Sequence, residues 1–199
     1  MYKLNYDKLL HIETEEIQFG FNKSYHYHRY GPTPYEHLEK LFHEFPLHKT
    51  DYVVDFGCGK GRLNFFIHYL FQSTVTGIEM NEEFYQDALY NLEKYRKNRK
   101  VRERKINFHL GKAEGYAIQP EDNYFYFFNP FSLPIFQKII SNLLYSLEEK
   151  SRIVKIILYF PSNEYLFFMD NHAFFEKEAD VHVGNKTDKD HFVIYKSIY

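Results

Sequence analysis

The sequence predicts an α/β fold: a doubly wound, seven-stranded, mostly parallel sheet with an antiparallel C-terminal hairpin. Three observations carry this expectation. From Asp51 onward, short apolar segments of strand length alternate with amphipathic segments of helical length. The first of these strands runs directly into a glycine-rich turn that opens a helix. The last two apolar segments flank the polar turn GNKTDKD, which suits a hairpin and not a crossover.

The elements follow in order. Ahead of the alternation, Thr33-Pro34-Tyr35-Glu36 reads as a helix start, with Thr33 as cap, Pro34 at the first helical position and Glu36 as a capping-box carboxylate. Leu38, Leu41, Phe42 and Phe45 continue it at helical spacing, and Pro46 ends it. Strand Tyr52–Phe56 precedes helix Arg62–Phe71, and strand Thr74–Glu79 precedes a helix that Asn81 caps and that runs to about Lys97. A strand at Ile106–Leu110 leads through an irregular stretch to a strand at Tyr124–Phe128. A helix is expected from about Pro134 to Glu148, a strand at Ile153–Phe160 and a helix near Asn163–Asn171. Segments Phe174–Val183 and His191–Ile198 form the hairpin. Right-handed crossovers leave few topologies for this order.

Composition narrows the class. A chain of 199 residues suits one domain, with residues 1–48 reading differently from 49–199. Charged residues are 26% of the chain, too many for a membrane-embedded protein and too well mixed with apolar residues for a disordered one. No apolar run has the length of a signal peptide or a membrane span, so a soluble cytoplasmic protein is expected, with no membrane partner. Cys58 is the single cysteine, which excludes an internal disulfide. A net charge of −2 offers no bulk attraction to nucleic acid. Phe and Tyr reach 20%, but most fall on predicted strands and helices and serve the core.

The first strand ends in DFGCGKGR, containing Asp55, Gly57, Gly59 and Gly61. Glycines at a strand–helix turn let a ligand approach the backbone, and the helix start presents amide donors to an anionic group. The second strand ends in Glu79, where a carboxylate beside the first loop can hold both hydroxyls of a ribose. A dinucleotide fingerprint needs a small residue where Arg62 stands, which disfavours a nicotinamide enzyme. With the spacing D-x-G-x-G-x-G, the chain resembles the class I S-adenosylmethionine-dependent methyltransferases over about residues 51–199, through VDFGCGKG, GIEMN and FFNPF. The resemblance implies a Rossmann-like methyltransferase fold and S-adenosylmethionine as cofactor. Gly57, Gly59 and Gly61 would pass under its methionine part, with Asp55 bracing the loop. Glu79 would hold the ribose, and Met80 would lie against the adenine. Where many members carry Gly-Asp-Ala after the third strand, this chain has Gly111-Lys112-Ala113-Glu114, so Glu114 or backbone near Ala113 takes the adenine contact.

Asn129 ends the fourth strand, within FFNPF, and should face the methyl donor. The motif resembles the Asn-Pro-Pro-Tyr element of methyltransferases acting on amino nitrogens, with the second proline absent and Phe131 in place of the tyrosine. By the same resemblance, residues 1–48 form a substrate-side lid. Tyr25, Tyr27 and Tyr30 would join Phe131 as substrate contacts, and His26 or His28 would act as base beside catalytic Asn129. The two histidines alone do not make a metal site. Eight Lys or Arg residues fall between Lys94 and Lys105, but topology puts this run at the sheet edge opposite the cofactor. The expected function is methyl transfer by in-line displacement to N or O of a small molecule. Transfer to RNA or a protein side chain, and a non-catalytic cofactor-binding protein, are the alternatives.

Overall fold

Five segments carry nearly unbroken buried runs, and these five occupy the middle of the sheet. They are β1 (Tyr52–Phe56), β2 (Thr74–Glu79), β4 (Tyr124–Phe127), β5 (Lys155–Tyr159) and β7 (His191–Ser197). The two strands with mostly exposed or half-buried positions, β3 (Ile106–Leu110) and β6 (Phe175–His182), are the two edges. Continuous apolar strands need cover on both faces, whereas edge strands tolerate polar side chains and gain protection from them. The order in this computed structural model is β3-β2-β1-β4-β5-β7-β6, and it describes residues 4–15, 31–100, 105–184 and 190–198. Strand β7 pairs antiparallel with both neighbours, and the other pairings are parallel, as expected for a doubly wound sheet ending in a hairpin.

One face is covered by α1 (Tyr6–Leu10), α2 (Tyr35–Glu44), α3 (Arg62–Phe71) and α4 (Glu82–Arg99). The other carries α5 (Leu133–Glu149), α6 (Asn163–Asp170) and the short 3-10 turn Ala113–Gly115. Alternation along β1 divides the core: Val53 packs on the first face, while Val54 and Phe56 pack on the second. The excess of Phe is spent mainly here, in stacked and edge-on pairs such as Phe56–Phe127 and Phe127–Phe136. Asn81 caps α4 as expected, accepting from the N–H groups of Glu83 at 2.9 Å and Phe84 at 3.3 Å.

Two features of the N-terminal part differ from the sequence expectation. Helix α1 has only five residues and no long periodic signal. Thr33 does not cap α2; Pro34 holds the cap position and offers no side-chain cap. The Thr33 hydroxyl instead lies 2.7 Å from the buried hydroxyl of Tyr126, in the middle of the sheet. A phenol buried there needs a hydrogen-bond partner, and Thr33 supplies it.

A buried polar network ties α1 and α2 to α3. Asp7 accepts from Thr14 N–H at 2.6 Å, the Thr14 hydroxyl at 2.8 Å and the Tyr35 hydroxyl at 2.5 Å. Arg62 donates through Nε to Thr14 Oγ1 at 2.8 Å and through Nη1 to the carbonyl of Thr33 at 3.3 Å. Its guanidinium also lies 4.4 Å from the centre of the Tyr35 ring. Removing the hub leaves several buried groups unpaired. Asp7→Ala is expected to lower stability by about 3 kcal/mol or more, measured by urea unfolding. A loss below about 1 kcal/mol, the scale of one exposed hydrogen bond, would contradict this role.

Candidate cofactor and active site

The site is built where β1, β2, β3 and β4 end, along the carboxyl edge of the parallel sheet. Leaving β1, the chain makes a tight turn in which Gly57, Gly59 and Gly61 all have positive φ, at 81°, 53° and 85°. Other residues adopt this region only with strain. Space is short as well. A Cβ on Gly57 would lie 3.1 Å from Pro130 Cβ, and one on Gly61 would lie 2.7 Å from Phe108 Cζ. The loop from β4 therefore rests directly on the loop from β1.

Glu79 locks the arrangement from β2. Its Oε2 accepts from Gly59 N–H at 2.9 Å, and its Oε1 accepts from Asn81 N–H at 2.7 Å. Behind it, the carbonyl of Ile78 accepts from the N–H groups of Gly57 at 2.9 Å and Cys58 at 3.1 Å. Burial raises the Glu79 pKa above the ordinary range, while the amides of Asn81, Gly59 and Met80 oppose that rise by bonding the ionised form. Cys58 is buried and its thiol is pushed up, chiefly by burial, so it packs as a small apolar residue and not as a nucleophile.

Asp55 is buried beneath the loop. Its pKa is pushed from 3.8 to about 8 by burial first and by the nearby Glu79 carboxylate second. With the Asn64 amide oriented to satisfy both neighbours, its nitrogen donates to Asp55 Oδ2 at 3.1 Å and its oxygen accepts from Gly77 N–H at 3.1 Å. One side chain thus joins β1, β2 and α3. Gly77 makes the space, since a Cβ there would lie 2.9 Å from the Asn64 amide. Asn64 was absent from the residues singled out in the sequence, though it is the one uncharged polar side chain in the run RLNFFI, otherwise apolar after Arg62.

The remaining predicted residues fall as follows. Met80, 41% exposed, follows Glu79 at the rim, and Ala113 is buried in the turn after β3. Glu114 is half-buried, and its carbonyl accepts from Asn142 of α5 at 3.0 Å. Asn129 lies two residues beyond β4, where the expected strand has already ended, with a positive φ of 38°, a conformation that Asn tolerates better than most residues. Phe131, the expected substrate contact, is buried. It is 3% exposed, its ring lies 3.9 Å from where a Gly57 Cβ would be, and its carbonyl accepts from Tyr165 OH at 2.8 Å. Tyr25, His26, Tyr27, His28 and Tyr30 lie outside the described residues. In the basic run, Lys94 pairs with Glu13, Arg96 donates to the carbonyl of Ile106 and Arg99 stacks on Tyr69. These contacts hold the far end of α4 in place.

The donor set fits S-adenosylmethionine: a glycine cradle with no room for side chains, a buried carboxylate at the end of β2 and apolar cover beyond it. The buried carboxylates also set a pH dependence. Between about pH 4 and pH 8 the folded protein holds the Asp55 proton while the unfolded chain has lost it, so stability falls as pH rises through that window. Glu79 contributes with the same sign. The melting temperature of the cofactor-free protein is expected to fall across the window more steeply in wild type than in Asp55→Asn. Parallel curves would contradict the assignment.

Comparison with known proteins agrees with this geometry. The family profile described as Methyltransferase domain matches residues 34–159. Among curated proteins, none matches the chain in sequence. An RNA methyltransferase from Salinibacter ruber, solved with S-adenosyl-L-homocysteine, is 17% identical over 84% of this chain and 92% of its own, with a TM-score of 0.59. An rRNA methylase from Streptococcus thermophilus is 14% identical over 80% and 93%, with a TM-score of 0.56. A Streptococcus mutans protein in complex with SAH is 14% identical over 80% and 95%, with a TM-score of 0.58. At these identities the structures are similar in fold. With a matching profile over more than half its length, the chain belongs to the class I S-adenosylmethionine-dependent methyltransferase family, and S-adenosylmethionine is its cofactor.

Proposed function

We propose that the protein methylates a nitrogen or oxygen atom of a small molecule, with Asn129 as the residue that orients the acceptor. The observation that carries this reading is the stacking of the β4 loop on the glycine loop, which puts Asn129 one residue before the proline that packs on Gly57. When bound, S-adenosylmethionine supplies a methyl group on a positively charged sulfur, already activated for displacement. The chain's own residues then have to bind and align. Backbone amides of the Gly57–Gly61 turn suit the methionine carboxylate, the Glu79 carboxylate suits the two ribose hydroxyls, and Met80, Ala113 and Glu114 suit the adenine. The Asn129 amide oxygen accepts a hydrogen bond from the acceptor, turning its lone pair toward the methyl group. Well-oriented groups recover about 7–11 kcal/mol of a barrier in this way, without an acid or base.

RNA is the second reading, favoured by similar structures that are RNA and rRNA methylases. The small molecule stands first because the described basic residues, Lys94–Lys100 at the end of α4 and Lys105 before β3, lie at the opposite end of the sheet from Glu79. No helix of the described residues is long and apolar enough to cross a membrane.

Two variants separate the roles. Glu79→Ala is expected to weaken binding of S-adenosylhomocysteine by about 10- to 100-fold in calorimetry, from the loss of charge-assisted hydrogen bonds. Asn129→Ala is expected to keep that affinity and to lower turnover by roughly 100-fold, the scale of a misaligned acceptor. Loss of cofactor affinity in Asn129→Ala would instead assign it to bracing the cofactor. Label transfer from methyl-labelled cofactor into a metabolite pool, with none into RNA, is the result expected. The reverse would replace the small molecule with RNA.

A further inference from the structure

At the far end of the same sheet edge, the geometry points to a second site: Asp180, His182 and His191 bind a divalent transition metal of the zinc class. Asp180 and His182 lie two apart on β6 and so share a face, and His182 pairs directly across the ladder with His191 of β7. One donor atom from each residue lies within 4.8 Å of the other two. Asp180 Oδ1 already sits between the imidazoles, 2.7 Å from His191 Nδ1 and 3.5 Å from His182 Nε2. The two rings are tilted by 31° with centres 5.2 Å apart. Donors bonded to zinc at about 2.0–2.1 Å in a tetrahedron stand about 3.3 Å from each other, so modest side-chain rotations close this set around an ion.

A β-bulge makes the cluster possible. The register slips between Lys177 and Ala179, which inserts one extra residue in β6 and reverses the faces beyond it. Before the slip, Phe175 shares the face of α6; after it, Val181 and Val183 turn to the α2 side, where they are buried. Asp180 and His182 are thereby sent to the same face as His191. Without the extra residue they would project to the opposite face. The hairpin end holds the register, because the carbonyl of Asp190 accepts from the N–H groups of Val183 at 2.9 Å and Gly184 at 3.2 Å. The other side is held by Phe160 N–H, which donates to the carbonyl of His191 at 3.1 Å.

The donor chemistry selects the ion. Two imidazoles and one carboxylate suit zinc, cobalt or nickel, whereas magnesium and calcium prefer oxygen. Three protein ligands leave a fourth position for water or for an anionic group of a ligand. His191 is mostly covered and Asp180 and His182 are exposed, so the ion has one anchored ligand and open access.

The test uses the full chain, without a polyhistidine tag, stripped with chelator and titrated with zinc chloride in calorimetry. One saturable equivalent is expected, weakened by roughly 100-fold or more in His182→Ala and in His191→Ala, beyond what loss of an outer-shell partner produces. Cobalt added to wild type should give the intense visible absorption of a four-coordinate ion, absent in both variants. The double variant His26→Ala/His28→Ala should retain the site. Asp180→Asn, at an exposed position, is a third ligand change, expected to weaken zinc as well, with its folding checked by its melting curve. No saturable zinc binding in wild type, or equal binding in wild type and both histidine variants, would overturn the site. S-adenosylhomocysteine binding in the same samples reports on the methyltransferase reading separately and is expected to stay unchanged.

Discussion

The Glu79 carboxylate joins two loops that leave different strands, and its two oxygens are held by the amides of Gly59 and Asn81. That grip fixes how far the glycine turn stands from the end of β2. The turn can only reach it because Gly57, Gly59 and Gly61 accept positive φ. Pro130 then packs on Gly57, so the β4 loop takes its position from the same contact, and Phe131 closes the space beneath. A carboxylate buried this way is costly to ionise, and the opposing amides are what keep it serviceable as an acceptor. The chain's own hydrogen bonds therefore organise the crevice, which is the condition under which alignment alone can carry a methyl transfer.

The second organising group is Arg62, the first residue of α3. In a dinucleotide fingerprint a small residue occupies that place to let helix and strand close up. Here a guanidinium fills it and reaches Thr14, Thr33 and the face of Tyr35. The same residue that argues against a nicotinamide enzyme thus attaches α1 and α2 to the helix that follows the glycine loop. The chain segments on both sides of residues 16–30 are consequently fixed to the cofactor side of the molecule, through Thr14 and Thr33.

Much of this was legible in the sequence for a definite reason. Strands β1, β2 and β3, helix α3 and the Asn81 cap are set by local patterns: apolar runs of strand length, a glycine turn and a capping side chain. Asp55, the three glycines and Glu79 were found because their spacing along the chain is short and their chemistry is specific. Helix α1 was not found, because five residues hold too little periodicity and its stability comes from Asp7 and Tyr6 packing against distant partners. Thr33 has a locally sensible role as a helix cap that a tertiary neighbour replaces, and the burial of Phe131 beside Gly57 and Tyr165 has no local signal for a related reason.

The order and type of the elements from β1 onward, the glycine–carboxylate pair and with them the cofactor class were legible in the chain alone, since those follow from short apolar runs, turns and spacings. Only the tertiary structure decided which polar groups share a burial site. Asn64 bridges Asp55 and Gly77 across three elements, Arg62 meets residues 29 and 48 positions away, and a one-residue bulge brings His182 to the face of His191. Sequence spacing carries no record of such meetings. Buried hydrogen-bonding groups must find partners wherever packing puts them, and strand register decides which face a side chain takes.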